Sequence, residues 1–209
     1  MCYLTRGITM KIFKLVLPLS VLLMVGCASV PMDIAPEQTL VEVKPNESQV
    51  VFFRSSFFGS AISSSIYEIK GENAQFLGVL NNGNKIAVKT STGKHLFMVV
   101  SEAADFMNAD LAGGKTYYAI VTPRMGAWKA RFSMWPVSTD AASEYNMTDG
   151  KLEKWMADTT LVTTSDEARA WYQKNRDSVD SKMREYLPIW NQKSVEDMEK
   201  RTLKPEDGM

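Results

Sequence analysis

The middle of the chain is a series of short apolar or β-branched runs separated by turn residues. Runs of this length, bounded by Gly, Asn or Pro, are typical of β-strands. Seven strands are predicted, at Gln49–Arg54, Ile62–Lys70, Phe76–Leu80, Lys85–Thr90, Lys94–Ser101, Thr116–Pro123 and Ala127–Pro136. Because these strands recur at a regular spacing, we expect a mainly β domain over residues 48–138, folded as an antiparallel β-sandwich of about seven strands.

Two details of this region predict how the strands pair. The turn 81–84 (Asn-Asn-Gly-Asn) contains an Asn-Gly step, which accepts the positive φ values of a type I′ turn. The strands on either side of it are therefore predicted to form a hairpin. Residues 127–135 alternate between apolar and largely polar side chains, which predicts one buried and one solvated sheet face.

Residues 139–201 have a helical composition. Thr164-Ser165-Asp166-Glu167 has the spacing of a capping box and predicts a helix that Pro188 ends or kinks near Leu187. Apolar side chains recur along this helix at helical spacing. They are Ala168, Trp171, Tyr172, Val179, Met183, Tyr186 and Trp190. A second short helix is predicted from Ser194, and residues 202–209 are predicted to be a flexible tail.

Two interpretations of the apolar stripe stay open. Its residues could pack on the chain's own sheet, or they could form a docking face for a partner protein. The opposite face mixes Asp with Arg, whereas helices that bind anionic membranes carry mainly Lys and Arg there. We therefore favour packing within the chain. The upstream apolar residues Leu152, Trp155, Met156 and Leu161 could join this helix to the sandwich.

The N-terminus carries the charge pattern of a targeting segment. The chain has 24 Lys plus Arg and 24 Asp plus Glu, but Arg6, Lys11 and Lys14 are the only charged residues within 1–26. An apolar run at 15–25 follows them, and it is too short to span a bilayer as a helix. Residues 1–26 are therefore predicted to be a signal peptide, with Met10 as a candidate true start.

Leu23-Met24-Val25-Gly26-Cys27 resembles the lipobox of bacterial lipoprotein signal peptides. The resemblance implies that Cys27 is lipidated and becomes the first residue of the mature chain. Two or three acyl chains hold a protein stably on a bilayer, whereas one does not. Ala28 stands where an Asp tends to retain such lipoproteins at the inner membrane, so the resemblance implies an outer-membrane, periplasm-facing location. The Pro-containing segment 27–47 is predicted to be an extended tether.

A wider family resemblance rests on the turns of the predicted sandwich. Leu77-Gly78-Val79-Leu80, Thr92-Gly93-Lys94-His95 and the run 113–118 (Gly-Gly-Lys-Thr-Tyr-Tyr) resemble a family of uncharacterised bacterial envelope lipoproteins with a small β-sandwich domain. The pattern is loosely similar to PEGA and transthyretin-like domains as well. The resemblance covers about residues 49–137 and implies a fold, but it brings no activity with it.

One predicted surface suggests a ligand. Cationic side chains and a Trp share the predicted outer faces of two strands, and together they suggest contact with peptidoglycan or another anionic glycan. These residues are Lys85, Lys89, Lys129, Arg131 and Trp135. The alternative is an ordinary solvated sheet face, with Trp135 covered by the C-terminal helix.

Few residues suggest catalysis or metal binding. His95 is the one His, and no Ser has the Gly-x-Ser-x-Gly context of a nucleophile elbow, so a hydrolase is a remote alternative. Glu102, Asp105 and Asp110 are predicted to share one loop, but they lack the order and Gly of an EF-hand. The run at Gly113 lacks the first Gly of a Walker A loop. We predict no cofactor and no metal.

The sequence therefore predicts a location and a fold, but no reaction. Balanced charge argues against a nucleic-acid partner, since phosphate contacts need a basic excess. The chain is predicted to be a non-catalytic binding or assembly module of the outer membrane, anchored through Cys27. The runner-up is an accessory subunit of a larger envelope complex that docks through the stripe of the C-terminal helix.

Overall fold

The structure, a computed structural model, describes residues 30–56, 59–124 and 131–209. These ranges form two facing β-sheets with helices outside them. Their eleven strands are β1 (Asp33–Ile34), β2 (Glu47–Arg54), β3 (Ser64–Lys70), β4 (Asn73–Leu80), β5 (Asn84–Ser91), β6 (Gly93–Val100), β7 (Ala104–Leu111), β8 (Lys115–Arg124), β9 (Arg131–Pro136), β10 (Thr160–Thr163) and β11 (Thr202–Leu203). Their helices are α1 (Lys151–Ala157), α2 (Asp166–Asn191) and α3 (Val195–Glu199).

Both sheets are mixed. The first has the order β1-β10-β5-β2-β8-β9 and the second the order β11-β7-β6-β3-β4. Most neighbours are antiparallel, but β2 and β8, β5 and β10, and β7 and β11 are parallel pairs. The prediction of a mainly β fold with a C-terminal helix is confirmed. The prediction of about seven strands in purely antiparallel sheets is wrong.

The sequence prediction missed β7 because its acidic residues suggested a loop. Asp105 lies near the start of this strand and is only 4% exposed. Its carboxylate accepts a hydrogen bond at 2.6 Å from the guanidinium of Arg201, which is equally buried. A buried strand tolerates a carboxylate when a cation pairs with it, and here that cation comes from 96 residues further along the chain.

The predicted hairpin at the Asn-Gly turn is also wrong, because β4 and β5 belong to different sheets. Gly83 does adopt a positive φ of 79°, so the turn itself forms. However, its backbone is bonded to other segments: Gly83 N–H donates to Arg54 at 2.9 Å, and Gly83 C=O accepts from Thr160 at 2.8 Å. The turn carries the chain across the sandwich, and β4 pairs instead with β3.

Three apolar clusters hold these layers together. The inner cluster fills the space between the sheets and includes Phe52, Phe97 and Met134. A second cluster lies between α2 and the five-stranded sheet, and a third lies between α1 and the six-stranded sheet. Both sheets therefore have covered outer faces. The predicted solvated face of β9 is wrong, since Ser133 on that face is fully buried.

Helix α2 begins and ends later than predicted. Its N-cap is Ser165, whose hydroxyl accepts from Ala168 N–H at 3.0 Å, while the hydroxyl of Thr164 donates to Leu77 C=O at 2.9 Å. The helix continues through Pro188 to Asn191. Pro188 is exposed in the last turn, where the carbonyl that loses its hydrogen bond can be hydrated. The predicted helix after Ser194 is confirmed as α3.

Both ends of the described chain are docked on the sandwich. Strand β1 pairs with β10, Ala35 is 7% exposed, and Gln38 bonds to the backbone of Leu161 in both directions. The prediction of an extended tether is therefore wrong for residues 30–47. The prediction of a flexible tail at 202–209 is wrong as well, because Met209 and Thr116 exchange two backbone hydrogen bonds of 2.8 and 3.0 Å.

Candidate functional site

The structure separates the residues of the predicted cationic surface. Lys85, Phe53, Ile120 and Trp135 form one row across the six-stranded sheet. Lys85 is 6% exposed, and its ammonium donates to the carbonyls of Met156, at 2.7 Å, and Thr159. Burial lowers the pKa of Lys85. Lys85 holds the end of α1 and its following loop against the sheet, so its assignment to a ligand surface is wrong.

The other predicted cations do not form one patch either. Lys89 and Arg131 are exposed, but their strands β5 and β9 are separated by β2 and β8. The ammonium of Lys89 donates to Glu42 C=O at 3.1 Å. Three strand spacings of about 4.8 Å each place these two side chains at least about 14 Å apart across the sheet. Lys129 lies outside the described residues, as does Cys27.

Trp135 is the member of that set that lies in a cavity. A cleft of about 530 Å³ opens between the loop after β9 and the segment that runs from α3 to the C-terminal tail. The volume falls within the range of about 300–1,000 Å³ that is usual for small-molecule sites. The cleft is lined by Trp135, Pro136, Ser138, Asp140, Ala142, Ser143, Glu144, Tyr145, Glu196, Glu199, Lys200, Thr202 and Lys204.

Two aromatic rings contribute flat apolar surface to the cleft. The rings of Trp135 and Tyr145 lie 5.9 Å apart at 36° to each other, and both are half-buried. The guanidinium of Arg201 stacks 4.2 Å from the Trp135 ring centre. Arg201 is in turn fixed by Asp105 and by the carbonyls of Met134 and Phe106. Trp135 is thus supported by a guanidinium that three hydrogen bonds hold in place, and not by α2.

The rim of the cleft is acidic. Four carboxylates line it, from Asp140, Glu144, Glu196 and Glu199, against the ammonium groups of two lysines. One of these, Lys200, pairs with Glu196 at 2.7 Å, and this contact raises the pKa of Lys200. The excess of carboxylates favours a neutral or amine-bearing ligand over an anion. The predicted preference for an anionic glycan therefore does not fit this cleft.

The loop that forms one wall of the cleft is held by buried Asp207. One carboxylate oxygen of Asp207 accepts from the hydroxyl of Ser138 at 2.9 Å and from Thr139 N–H at 2.8 Å. The other oxygen accepts from Lys204 N–H at 2.8 Å. The C-terminal tail and the loop after β9 are thus joined through one carboxylate, which fixes both walls of the cleft.

His95 lies at a different edge of the molecule, where it pairs with Glu68. The Glu68 carboxylate lies 2.7 Å from Nδ1 of His95, and the Ser91 carbonyl lies 3.0 Å from Nε2. Both side chains are nearly buried, and the imidazole stacks on Phe97. Both ring nitrogens therefore face oxygen atoms within the protein. A general base needs a free nitrogen aimed at a substrate, so this geometry favours a structural role.

The residues of the α2 stripe pack within the chain. Tyr172 stacks on Phe76, with ring centres 4.8 Å apart, and its hydroxyl donates to Ala74 C=O at 2.9 Å. Trp190 contacts Phe106, with ring centres 5.9 Å apart. The cluster beneath α2 also contains Val179, Met183 and Tyr186. Trp171 contacts Phe76 with a ring separation of 6.4 Å. The stripe therefore packs on the chain's own sheet, as favoured from the sequence, and these contacts argue against the alternative of a partner-docking face.

Several other sequence-based interpretations are also changed by the structure. Leu152, Trp155 and Met156 belong to the cluster beneath α1, on the opposite side of the molecule from α2. They therefore do not join α2 to the sandwich. Asp105 and Asp110 lie on β7 and not in a loop with Glu102. Among the described residues, no group of three or more His, Cys, Asp or Glu side chains is placed to hold a metal ion.

Sequence reasoning missed most of the cleft. Its two walls come from residues 135–145 and 196–204, which are brought together only by the packing of α3 and the tail. Ser138 and Asp140 follow the last predicted strand and carry no motif, and residues 202–209 were predicted to be a flexible tail. The local signal for the cleft was Trp135, which was predicted to share a solvated strand face with Lys129 and Arg131.

Within the part of the chain that the structure describes, no helix is long and apolar enough to cross a membrane. No protein-family model matches the chain, and no curated protein matches it in sequence.

Proposed function

We propose that this chain is a lipoprotein of the bacterial outer membrane that acts in the periplasm as a non-catalytic binding module. The proposal for its location rests on the order of basic residues, apolar run, Gly26 and Cys27, and on Ala28 after the Cys. The resemblance to envelope lipoproteins with a small sandwich domain agrees with it. The anchor is an acyl-modified Cys27, and several acyl chains on one residue give stable attachment.

The observation that carries the binding role is the cleft at Trp135. Ligand sites combine apolar or aromatic surface with a few polar groups that orient the ligand, and this cleft provides both. An aromatic face suits the C–H face of a sugar ring, and carboxylates accept hydrogen bonds from hydroxyl and ammonium groups. Peptidoglycan carries sugar rings and amine-bearing stem peptides, so we propose it as the ligand, bound through those rings and amines and not through its anionic groups.

A non-catalytic role agrees with the surroundings of His95. A Ser–His mechanism requires a hydroxyl within hydrogen-bond reach of one ring nitrogen. The contacts that His95 makes are to a carboxylate and to a backbone carbonyl instead. The hydrolase alternative makes the opposite prediction, namely that the protein has an activity and that His95→Ala abolishes it.

The accessory-subunit alternative depended on the apolar stripe of α2 as a docking surface, and this stripe is covered by the five-stranded sheet. Docking through Trp171, Tyr172 and Trp190 would require α2 to leave the five-stranded sheet. Such a complex would therefore have to form through another surface, and no described feature favours one. We keep the binding module as the proposed function.

The test is co-sedimentation of the full-length protein, purified in detergent, with isolated peptidoglycan sacculi. The variant Glu144→Lys/Glu199→Lys reverses two exposed rim charges with little risk to the fold. We expect wild-type protein in the pellet, and for the variant an affinity lower by about tenfold or more, which corresponds to about 1.4 kcal/mol.

The matched control is Glu153→Lys/Glu185→Lys, at exposed positions of α1 and α2 that do not line the cleft. It reverses the same number of charges and should sediment like the wild type. Trp135→Ala provides an independent loss of stacking surface, with its thermal unfolding measured alongside. Wild-type protein that stays in the supernatant would overturn the proposed ligand. An equal loss of sacculus binding in the cleft variant and in the Lys control would show that net charge governs binding, and would overturn the cleft as the binding site.

A further inference from the structure

The first described residues are fixed to the sandwich next to a second cavity. The carbonyl of Val30 accepts from the side-chain amide of Asn81 at 3.0 Å, and the carbonyl of Pro31 accepts from the hydroxyl of Ser165 at 2.7 Å. The sulfur of Met32 accepts from Val79 N–H at 3.4 Å. Val79 of β4, Asn81 directly after β4 and the α2 N-cap Ser165 thus hold residues 30–32 on the domain.

This docking limits how far Cys27 can lie from the domain. Three peptide units connect Cys27 with Val30, and consecutive Cα atoms are 3.8 Å apart across a trans peptide bond. The two Cα atoms are therefore at most about 11 Å apart in any conformation. A group attached to the Cys27 sulfur must stay close to Val30.

The cavity beside Val30 has a volume of about 430 Å³ and is separate from the Trp135 cleft. It lies between α2 and one end of the five-stranded sheet. Seven of the fourteen lining residues are apolar, among them Ile62, Val79, Val100, Trp171 and Val179 beside Val30. The other seven are polar, and they include Glu102 as well as Lys182. The site is thus a recess with apolar walls and a polar rim, and Val30 is part of its lining.

We propose that this cavity takes one acyl chain of the lipidated Cys27. The inference rests on the proposed lipidation and specifies where one of the resulting chains goes. An acyl chain matches the apolar walls, the short connection from Cys27 to Val30 delivers it to them, and the ammonium of Lys182 can donate to an ester carbonyl. The domain then covers part of its own anchor and sits directly at the bilayer surface with this cavity facing it.

The test uses the full chain expressed in bacteria that are fed a fatty acid carrying a photoactivatable diazirine. After irradiation, the protein is digested and cross-linked peptides are identified by mass spectrometry. We expect the acylated Cys27 peptide to be joined to peptides that contain Ile62, Val100 or Val179. Ser178→Trp places a bulky side chain at an exposed lining position of the cavity and should reduce these cross-links severalfold.

The matched control is Asp177→Trp, at an exposed neighbouring position of α2 that does not line the cavity, and it should cross-link like the wild type. Label on Cys27 with cross-links only to phospholipid would overturn the acyl-chain site and leave the proposed anchor standing. Absence of label on Cys27 would overturn the proposed anchor itself, and the acyl-chain site with it.

Discussion

Asp207 shows how much a single buried carboxylate organises at the C-terminus. It is 1% exposed and accepts hydrogen bonds from Ser138, Thr139 and Lys204. Removing it leaves the part-buried N–H groups of Thr139 and Lys204 without their acceptor. The loss of such a hydrogen bond costs about 1 kcal/mol or somewhat more for each donor, since the acceptor is charged.

We therefore expect Asp207→Ala to lower the free energy of unfolding by about 2–3 kcal/mol in urea denaturation of the full-length protein. Glu206→Ala is the control, because Glu206 is the exposed neighbouring carboxylate. It should change the free energy of unfolding by less than about 0.5 kcal/mol. Equal effects of the two substitutions would show that the hydrogen bonds of Asp207 do not hold the tail.

Tyr67 provides a pH-dependent prediction. It is fully buried beneath α2, and burial raises the pKa of its phenol above the ordinary value near 10. Above pH 10 the unfolded chain loses this proton while the folded chain keeps it, so stability falls as the pH rises.

Tyr67→Phe removes the phenol of Tyr67, and with it the loss of stability that this group causes at high pH. It leaves every other ionisable group in place. Between pH 8 and pH 11 the variant should lose about 1.4 kcal/mol less of its free energy of unfolding than the wild type. Urea denaturation at the two pH values measures the difference. Equal losses of the free energy of unfolding in the two proteins would contradict a raised pKa for Tyr67 in the folded state.

Residue identity alone was a poor guide to the placement of charged side chains. Lys85 was predicted to lie on a solvated outer face, yet its ammonium donates hydrogen bonds to the carbonyls of Met156 and Thr159. Asp105 suggested a loop, yet it lies on a strand because Arg201 reaches it. In both cases the partner is more than 70 residues away in sequence, so no local pattern could have specified it.

At the scale of elements, α2 was the most predictable feature. Its apolar stripe follows from helical periodicity, and the structure shows the sheet that covers it. Met183 is 4% exposed within that contact. We expect Met183→Ala to lower the free energy of unfolding by about 2–4 kcal/mol, since it leaves a cavity between helix and sheet.

Arg184→Ala is the matched control, at the next, exposed position of the helix. It should have a small effect in the same urea titration. If the stripe served only to dock a partner, Met183→Ala would leave the stability of the isolated chain unchanged, and that result would contradict the packing described here.

Strand positions were more predictable than strand partners. Six of the seven predicted strands overlap β2, β3, β4, β5, β6 and β8, and the described part of the seventh is β9. The Asn-Gly turn formed, but it joins two sheets, because turn residues fix a local reversal and the packing of the flanking strands selects their partners. The short strands β1 and β11 carry too few residues to show any alternation.

For the molecule as a whole, sequence analysis anticipated the cover of one sheet by α2 but missed the cover of the six-stranded sheet by α1. Helix α2 covers one outer face, and α1 with its neighbouring segments covers the other. The Trp135 cleft arises only where two such covering segments meet. The same packing docks residues 30–47, so the chain has almost no free length between Cys27 and the folded domain.

Mass spectrometry of the protein purified from bacterial outer-membrane fractions tests the proposed lipid anchor at Cys27. We expect a mature chain that begins at Cys27 and carries acyl groups on its sulfur and amino nitrogen. We expect Cys27→Ala to lack these acyl groups and to leave the outer-membrane fraction. A mature chain that begins elsewhere, or an unmodified Cys27 in the outer-membrane fraction, would contradict it.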